Sequence, residues 1–270
     1  MHERISVNSL CFPGTPLHEQ AAYWRDLAPR RVSFVSAQLI GDLSPAHEAL
    51  KTGRYKVETV THQFRSGRHV SQEDDSWRDD RARLMEVIEA AKTLGAQSIY
   101  MLTGGHGSLV WEDAAECFAA AVAPCVAKAN EAGIALLVEN AMPLYADVHI
   151  AHSLRDTIRL AEMAGIGICI DVFGCWLEAD LRASIERAMP RCKLMQLSDY
   201  VYGDRSLPCR AIPGDGAIPL RAILQWALGA GYTGAFDLEL IGPRITGLGC
   251  VEAVRKAAAH VGAILHSLGA

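Results

Sequence analysis

The chain predicts an α/β fold in which eight parallel strands alternate with eight helices and close into a single (β/α)8 barrel. Three observations predict it. Apolar, strand-like runs recur eight times, and each is followed by a segment of helical period. The 270 residues match the roughly 250 that such a barrel takes. No G-x-G-x-x-G turn follows the first strand, so the doubly wound open sheet is the weaker alternative.

The elements follow in order. The first strand reads at 4–12 (RISVNSLCF) and feeds a helix at 16–28; the second, 31–40 (RVSFVSAQLI), feeds a short one at 45–51. The third is 56–64 (KVETVTHQF). The helix after it, 80–95, places Leu84, Val87, Ile88, Ala91 and Leu94 on one face and stops at Gly95, a residue suited to the left-handed C′ position. Strands at 97–104 (QSIYMLTG), 134–140 (IALLVEN), 167–173 (GICIDVF), 193–199 (KLMQLSD) and 235–240 (AFDLEL) alternate with helices at 113–132, 152–164, 177–188, 219–230 and 250–268. The run GIGICIDVFGCW is apolar on both faces, as a strand of a parallel sheet should be, until Asp171 at its carboxyl end. No linker or low-complexity tract interrupts the series, so one domain is expected over 1–270.

Composition narrows the function. At 50% hydrophobic and 21% charged, this is a compact soluble chain. No apolar stretch approaches the roughly 20 residues that cross a bilayer, and MHERISVNSLCF enters a strand without the apolar core of a signal peptide. A cytoplasmic protein with no membrane partner is expected. The formal net charge of −5 and the scattered Lys and Arg residues argue against a nucleic-acid partner. The eight cysteines contain no C-x-x-C pair and read as reduced, mostly apolar packing groups.

Three connections, 62–77, 141–151 and 199–218, exceed the usual 2–6 residues of a βα loop. In a barrel all of them gather at the carboxyl end of the strands, where active sites are built. Four strands end on that face with a metal-competent side chain: Glu139, Asp171, Gln196 and Glu239. A lone carboxylate there is ordinarily a helix cap or a rim ion pair. Three converging carboxylates would raise each other's pKa unless a cation sat between them. A set made only of oxygen donors favours Mn²⁺ or Mg²⁺ over Zn²⁺.

The ordered set LLVEN, GICIDV, LMQLSDY, IPGDG and DLEL resembles the xylose-isomerase-like barrel superfamily of sugar-phosphate isomerases and epimerases. That group holds ketose 3-epimerases, inosose isomerases and dehydratases, 3-dehydroshikimate dehydratases and, more distantly, endonuclease IV. The resemblance implies that Glu139, Asp171, Gln196 and Glu239 hold a catalytic divalent ion. It also implies that Glu139 and Glu239 are the base and acid that exchange a proton beside a carbonyl. Many epimerases carry His where Gln196 stands, whereas Gln occurs in some dehydratase-like members. Chemistry supports the roles independently, because a metal on the ketone and its neighbouring hydroxyl stabilises an enediolate while a nearby carboxylate removes the proton.

Other polar residues near this face are candidates for a small-molecule substrate. Arg210 in CRAIPGDG matches a substrate-facing arginine of relatives, with an exposed surface arginine as the plain alternative; Arg205 is a weaker candidate. His62, His106 and His149 fall near strand ends and are offered as substrate contacts, loop histidines being commoner. Asp237 shares the inward face with Glu239 one layer deeper and reads as support or packing. Trp111, Trp176, Phe64 and Tyr202 floor a pocket or pack loops. Relatives are often dimers or tetramers, so a homo-oligomer is compatible, but no interface is legible.

Many relatives read Asp-x-x-His where this chain has Asp171 and Gly174. Either Gly174 is a permissive turn residue and His149 or His106 replaces the imidazole, or the pocket takes a different substrate or works slowly. The leading expectation is a metal-dependent isomerase or epimerase of a small keto-sugar, sugar phosphate or cyclitol. The alternatives are a lyase dehydrating a keto-polyol or 3-dehydroshikimate-like acid, with Arg210 as the carboxylate partner, and a metal-containing binding protein with reduced catalysis. An abasic-site endonuclease is disfavoured, because its multi-zinc site needs further histidines.

Overall fold

Strand residues alternate between two environments, and this alternation decides where every functional side chain goes. In the computed structural model, which describes residues 1–270, eight parallel strands close in sequence order: β1 (Ile5–Asn8), β2 (Arg31–Val35), β3 (Lys56–Gln63), β4 (Ser98–Leu102), β5 (Ala135–Glu139), β6 (Gly167–Asp171), β7 (Cys192–Leu197) and β8 (Ala235–Leu238). β1 pairs with both β2 and β8, which completes the barrel. This is the single (β/α)8 barrel that the alternating pattern predicts.

Ten helices surround it: α1 (Leu17–Leu27), α2 (Ser44–Lys51), α3 (Arg78–Leu94), α4 (Trp111–Ala132), α5 (Leu154–Ala164), α6 (Val172–Cys175), α7 (Leu181–Ala188), α8 (Leu220–Gly229), α9 (Pro243–Leu248) and α10 (Cys250–Ser267). The main core, which includes Val60, Ile99 and Met101 of the strands with Leu84, Val87 and Ile88 of α3, fills the space between strands and helices. A separate small cluster of Tyr100, Leu137, Cys169 and Leu194 fills the barrel interior. One two-residue step further along their strands stand Leu102, Glu139, Asp171 and Gln196. The interior cluster is thus the floor beneath the polar strand ends.

Several expected boundaries move, each for a local reason. The first strand stops at Asn8, whose side chain accepts the Leu10 N–H at 2.9 Å and turns Ser9–Cys11 into a 3₁₀ helix. The second stops at Val35, whose N–H is taken by the Gln38 side chain at 3.0 Å. The expected helix 177–188 begins at Leu181, and a separate turn, α6, starts directly after Asp171, whose carboxylate accepts the Phe173 N–H at 3.1 Å. The short α9 before α10 has no counterpart in the sequence pattern. All eight cysteines are free, and no helix is long and apolar enough to cross a membrane.

Candidate active site

β5, β6 and β8 bring Glu139, Asp171 and Glu239 to one small cavity, about 160 Å³ in volume, at the carboxyl end of the barrel. The register explains the convergence: Asp171 lies beside Gln196, and Gln196 beside Asp237, across the β6–β7 and β7–β8 pairs. Arg210, from the long loop after β7, enters the same cavity. Its two terminal nitrogens donate to both oxygens of Asp171 at 3.1 and 2.9 Å; one also meets Glu239 Oε1 at 2.9 Å and the other Ser198 Oγ at 3.0 Å. The guanidinium carbon lies 4.7 Å from the centre of the Phe173 ring. Arg210 is therefore a buried member of the site, and the plain alternative of an exposed surface arginine is ruled out.

Gln196 is fully buried beside these groups. Its NH₂ donates to Glu239 Oε2, and its carbonyl oxygen accepts from the Cys169 thiol at 3.1 Å. The expected amide oxygen donor thus faces the floor in this arrangement, and the amide must turn over to present it. No ion pair or hydrogen bond reaches the Glu139 carboxylate; its backbone carbonyl accepts from His149.

The electrostatics follow from that arrangement. Burial, then the charges of Glu239 and Asp171, push Glu139 well above the usual carboxylate range, with Arg210 pulling the other way. Burial likewise raises Glu239, again against Arg210. Arg210 loses hydration, but Asp171 and Glu239 hold it charged, well above its ordinary value. Beneath them Asp237 accepts from Asn8 Nδ2 and Ser33 Oγ, both at 2.7 Å, and burial raises its pKa to about 6. It lies one layer deeper than Glu239, on the inward face that the two-residue period assigns to it.

The histidines correct the sequence reading. His149 is completely buried; the Thr103 N–H donates to its Nδ1 at 3.1 Å, so the ring proton lies on Nε2, which donates to the Glu139 carbonyl at 2.8 Å. It ties the loop after β5 to the strand end and has no face for a substrate. His62 sits opposite Met101, and its neighbour Thr61 opposite the interior residue Tyr100, so His62 points outward towards the helices. There its Nδ1 meets Ser36 Oγ at 3.0 Å. His106 is half-buried and does not line the cavity. The sequence signal in each case was position near a strand end, which does not report the facing. Arg205 is exposed in a neighbouring cleft.

The aromatics expected at the pocket pack loops instead. Phe64 stacks on Trp77, the Trp111 indole donates to the Ile150 carbonyl, and Trp176 and Tyr202 cluster with Tyr200. Leu102, Ala141, Met142, Tyr145 and Phe173 line the cavity in their place. Ser198 was legible from the same period that marks Leu194 and Gln196; Met142 and Tyr145, in an irregular loop, carried no periodic signal.

Gly174 has a specific cause. The Asn140 side chain grips the Asp171 backbone on both sides, donating to its carbonyl at 2.7 Å and accepting its N–H at 3.0 Å. A Cβ at position 174 would lie 2.7 Å from Asn140 Nδ2 and 2.9 Å from the Asn140 carbonyl oxygen. The space that a side chain at 174 would need is filled by Asn140. Neither His149 nor His106 replaces the missing imidazole at the cavity.

The sequence matches the family described as xylose isomerase-like TIM barrel over residues 44–262. The chain belongs to this family. No protein of curated function matches it in sequence. Among solved structures, this xylose isomerase-like barrel is similar to protein SMc04130 from Sinorhizobium meliloti 1021, with a TM-score of 0.85 at 20% identity, covering 96% of this chain and 97% of that one. It is similar to the IolI protein with a bound zinc atom, with a TM-score of 0.79 at 14% identity over 98% and 99% of the two chains. It is also similar to the 3-keto-D-glucoside 4-epimerase YcjR from E. coli, at 0.76 and 13% over 95% and 99%. At these identities the likeness is one of fold.

In this xylose isomerase-like barrel the donor set matches a divalent cation in kind and in charge, although no three or more His, Cys, Asp or Glu side chains are arranged to hold one as they stand. Three buried carboxylates face one cavity with a single guanidinium among them, and one of the three has no partner at all. Uncompensated buried carboxylates are costly, and either protonation or a bound cation relieves them. Such a cation would share Asp171 and Glu239 with Arg210.

Proposed function

We propose that this protein is a divalent-metal-dependent isomerase or epimerase of a small polyhydroxylated ketone, moving a proton at the carbon beside the carbonyl. The observation that carries this reading is the pair Glu139 and Glu239. They enter one cavity from β5 and from the end of β8, and burial raises both. Carboxylates raised toward neutrality can both take and return a proton at working pH.

Glu139, Asp171 and Glu239, with Gln196 after its amide turns, would hold Mn²⁺ or Mg²⁺, which supplies Lewis-acid stabilisation of the charge that develops on the substrate oxygens. Of the pair, the ionised member removes the proton and the protonated member returns one; Glu139 has no hydrogen-bond donor to its carboxylate. Glu239 is held by Arg210 and Gln196 on the other wall. Arg210 keeps Asp171 and Glu239 fixed relative to each other. Phe173, Met142 and Leu102 keep water from the reacting carbon.

The lyase reading needs a free cation for an acidic substrate. Arg210 gives both terminal nitrogens to Asp171, Glu239 and Ser198, which counts against the acid, whereas Gln196 still favours dehydration of a neutral keto-polyol, and an unsaturated product in the assay below would mark it. The test is incubation of the Mg²⁺-loaded protein with ketoses in D₂O, followed by ¹H NMR. Deuterium should enter the carbon beside the carbonyl of substrate and isomer. Glu139→Gln and Glu239→Gln should each slow this by at least ~10²-fold, the usual contribution of one positioned acid or base. Full activity in either variant, or after metal removal, would defeat the proposal.

A further inference from the structure

We infer that Asp199 is a positioning residue of this site: its carboxylate clasps the IPGDG turn and so fixes where the Arg210 guanidinium lies. What this does for turnover rests on the isomerase reading; the clasp itself does not. The place of Arg210 needs a cause. It stands in the middle of the long loop 199–218, yet its terminal nitrogens meet Asp171 at 3.1 and 2.9 Å, Glu239 at 2.9 Å and Ser198 at 3.0 Å. A long side chain on a long loop loses much freedom in reaching such a place, and it keeps one position only if its backbone is held first.

The backbone is held on both sides. The Arg210 N–H donates to the Ile241 carbonyl, just beyond β8, at 3.1 Å, and Ala211 exchanges both backbone bonds with Asp199, at 2.9 and 2.7 Å. The Asp199 side chain then closes the clasp. It is buried two residues beyond the end of β7. Its Oδ1 accepts the Tyr200 and Ile218 N–H groups at 2.8 and 2.9 Å, and its Oδ2 accepts those of Gly214 and Gly216 at 2.9 and 3.1 Å. The chain after Arg210 thus returns to Asp199 at 211, 214, 216 and 218. Ser198 holds the guanidinium end of the arginine while its neighbour Asp199 holds the backbone end.

The residue types follow from this geometry. A carboxylate offers about four lone-pair sites, enough for all four donors. Asparagine would keep one oxygen and turn an NH₂ against two of the N–H groups. Gly214 has a φ of +98°, where a side chain is strained, and a Cβ at Gly216 would press on Asp199 Oδ1 and lie 2.5 Å from the Tyr200 carbonyl oxygen. The two glycines of IPGDG are what let the turn close on the carboxylate.

Asp199→Asn and Gly216→Ala strike the clasp from its two sides and change no residue that lines the cavity. In ¹⁵N NMR, with Arg210→Lys to assign the signals, the Arg210 guanidinium protons should exchange with solvent at least tenfold faster in both variants than in wild type, while strand amides stay protected. A merely structural Asp199 gives the reverse, lower global stability with the Arg210 signals of the folded protein unchanged, and that result would overturn the inference. Deuterium exchange on ketoses then reads the consequence. Asp199→Asn should lower kcat by up to about 10²-fold, the cost of displacing a positioned group by about 1 Å, and should lower it little further in an Arg210→Lys background. Equal losses in the two backgrounds, or freed Arg210 signals with an unchanged kcat, would overturn action through Arg210. No exchange in wild type on any ketose sinks the isomerase reading, and the NMR comparison still decides the clasp.

Discussion

Gly174→Ala is the sharpest probe of how this site is built, because it adds one methyl group to the contact between the ends of β5 and β6. The φ of Gly174 is not positive, so alanine fits the backbone and only the contact matters. Its Cβ would stand 2.7 Å from Asn140 Nδ2 and 2.9 Å from the Asn140 carbonyl oxygen. Something must move, and the Asn140 amide can move only by releasing the Asp171 backbone, to which it makes bonds of 2.7 and 3.0 Å. Each such bond contributes about 1 kcal/mol net, and stranding its buried partner costs about 1–3 kcal/mol. Overpacking alone typically costs about 1–3 kcal/mol. Replacing glycine restricts the unfolded chain and returns up to about 1 kcal/mol. The expected net loss is about 2–4 kcal/mol, read by equilibrium urea unfolding at pH 7. Gly229→Ala is the control: nothing lies within 4 Å of a Cβ at the end of α8, so it should be neutral or slightly stabilising. Gly174→Ala within experimental error of Gly229→Ala would refute the reasoning. The same contact makes Gly174→His a destabilised protein and no rescue of a lost imidazole.

Saturating Mg²⁺ or Mn²⁺, at about a hundred times Kd, should raise unfolding stability by about 2.7 kcal/mol, and Glu139→Gln should reduce that gain; a Tm unmoved between metal and chelator would contradict it. Asp237 is raised to about 6 from 3.8 by burial, so the folded protein binds its proton first, and stability falls as pH rises through that window. Asp237→Asn should therefore be more stable than wild type at pH 8 by up to about 3 kcal/mol, with Ser33 turning its hydroxyl to Ser6, and the gap should close towards pH 4; urea midpoints across pH check both. His62 and His149 carry the opposite sign. Burial lowers them to about 4 and about 3, so their contribution is complete above pH 6.5 and is lost as pH falls below it. His62→Gln should flatten the acid limb of the stability curve, and an unchanged limb would remove His62 from the account.

The barrel was legible because its period is physical. Buried parallel strands must be apolar on both faces, so GICID and KLMQL announce themselves, and the inward face then follows by twos to Asp171, Gln196 and Ser198. Strand ends were less legible, because Asn8 and Gln38 end β1 and β2 by bonding the backbone through their side chains, an effect that no periodicity records. The histidines failed for a related reason. His62 and Thr61 are neighbours in sequence, yet only the register, with Tyr100 opposite Thr61, says which of them faces inward. Asn140 closed the strand read at 134–140 and drew no role of its own, because the carbonyl and N–H that it grips belong to a residue 31 positions away.

The side chains around the cavity divide into those that can exchange a proton near neutrality and those that cannot. Asn140 and Gln196 do not titrate, and Arg210 is held charged by Asp171 and Glu239. Tyr145 and Cys169 are pushed up, in both cases chiefly by burial. Asp171 is engaged through both oxygens by Arg210. What remains is Glu139 and Glu239, raised by the same burial that keeps the other groups silent. The amides of Gln196 and Asn140 fix geometry without adding a proton. On the proposed reading, proton transfer therefore falls on Glu139 and Glu239, which burial raises together.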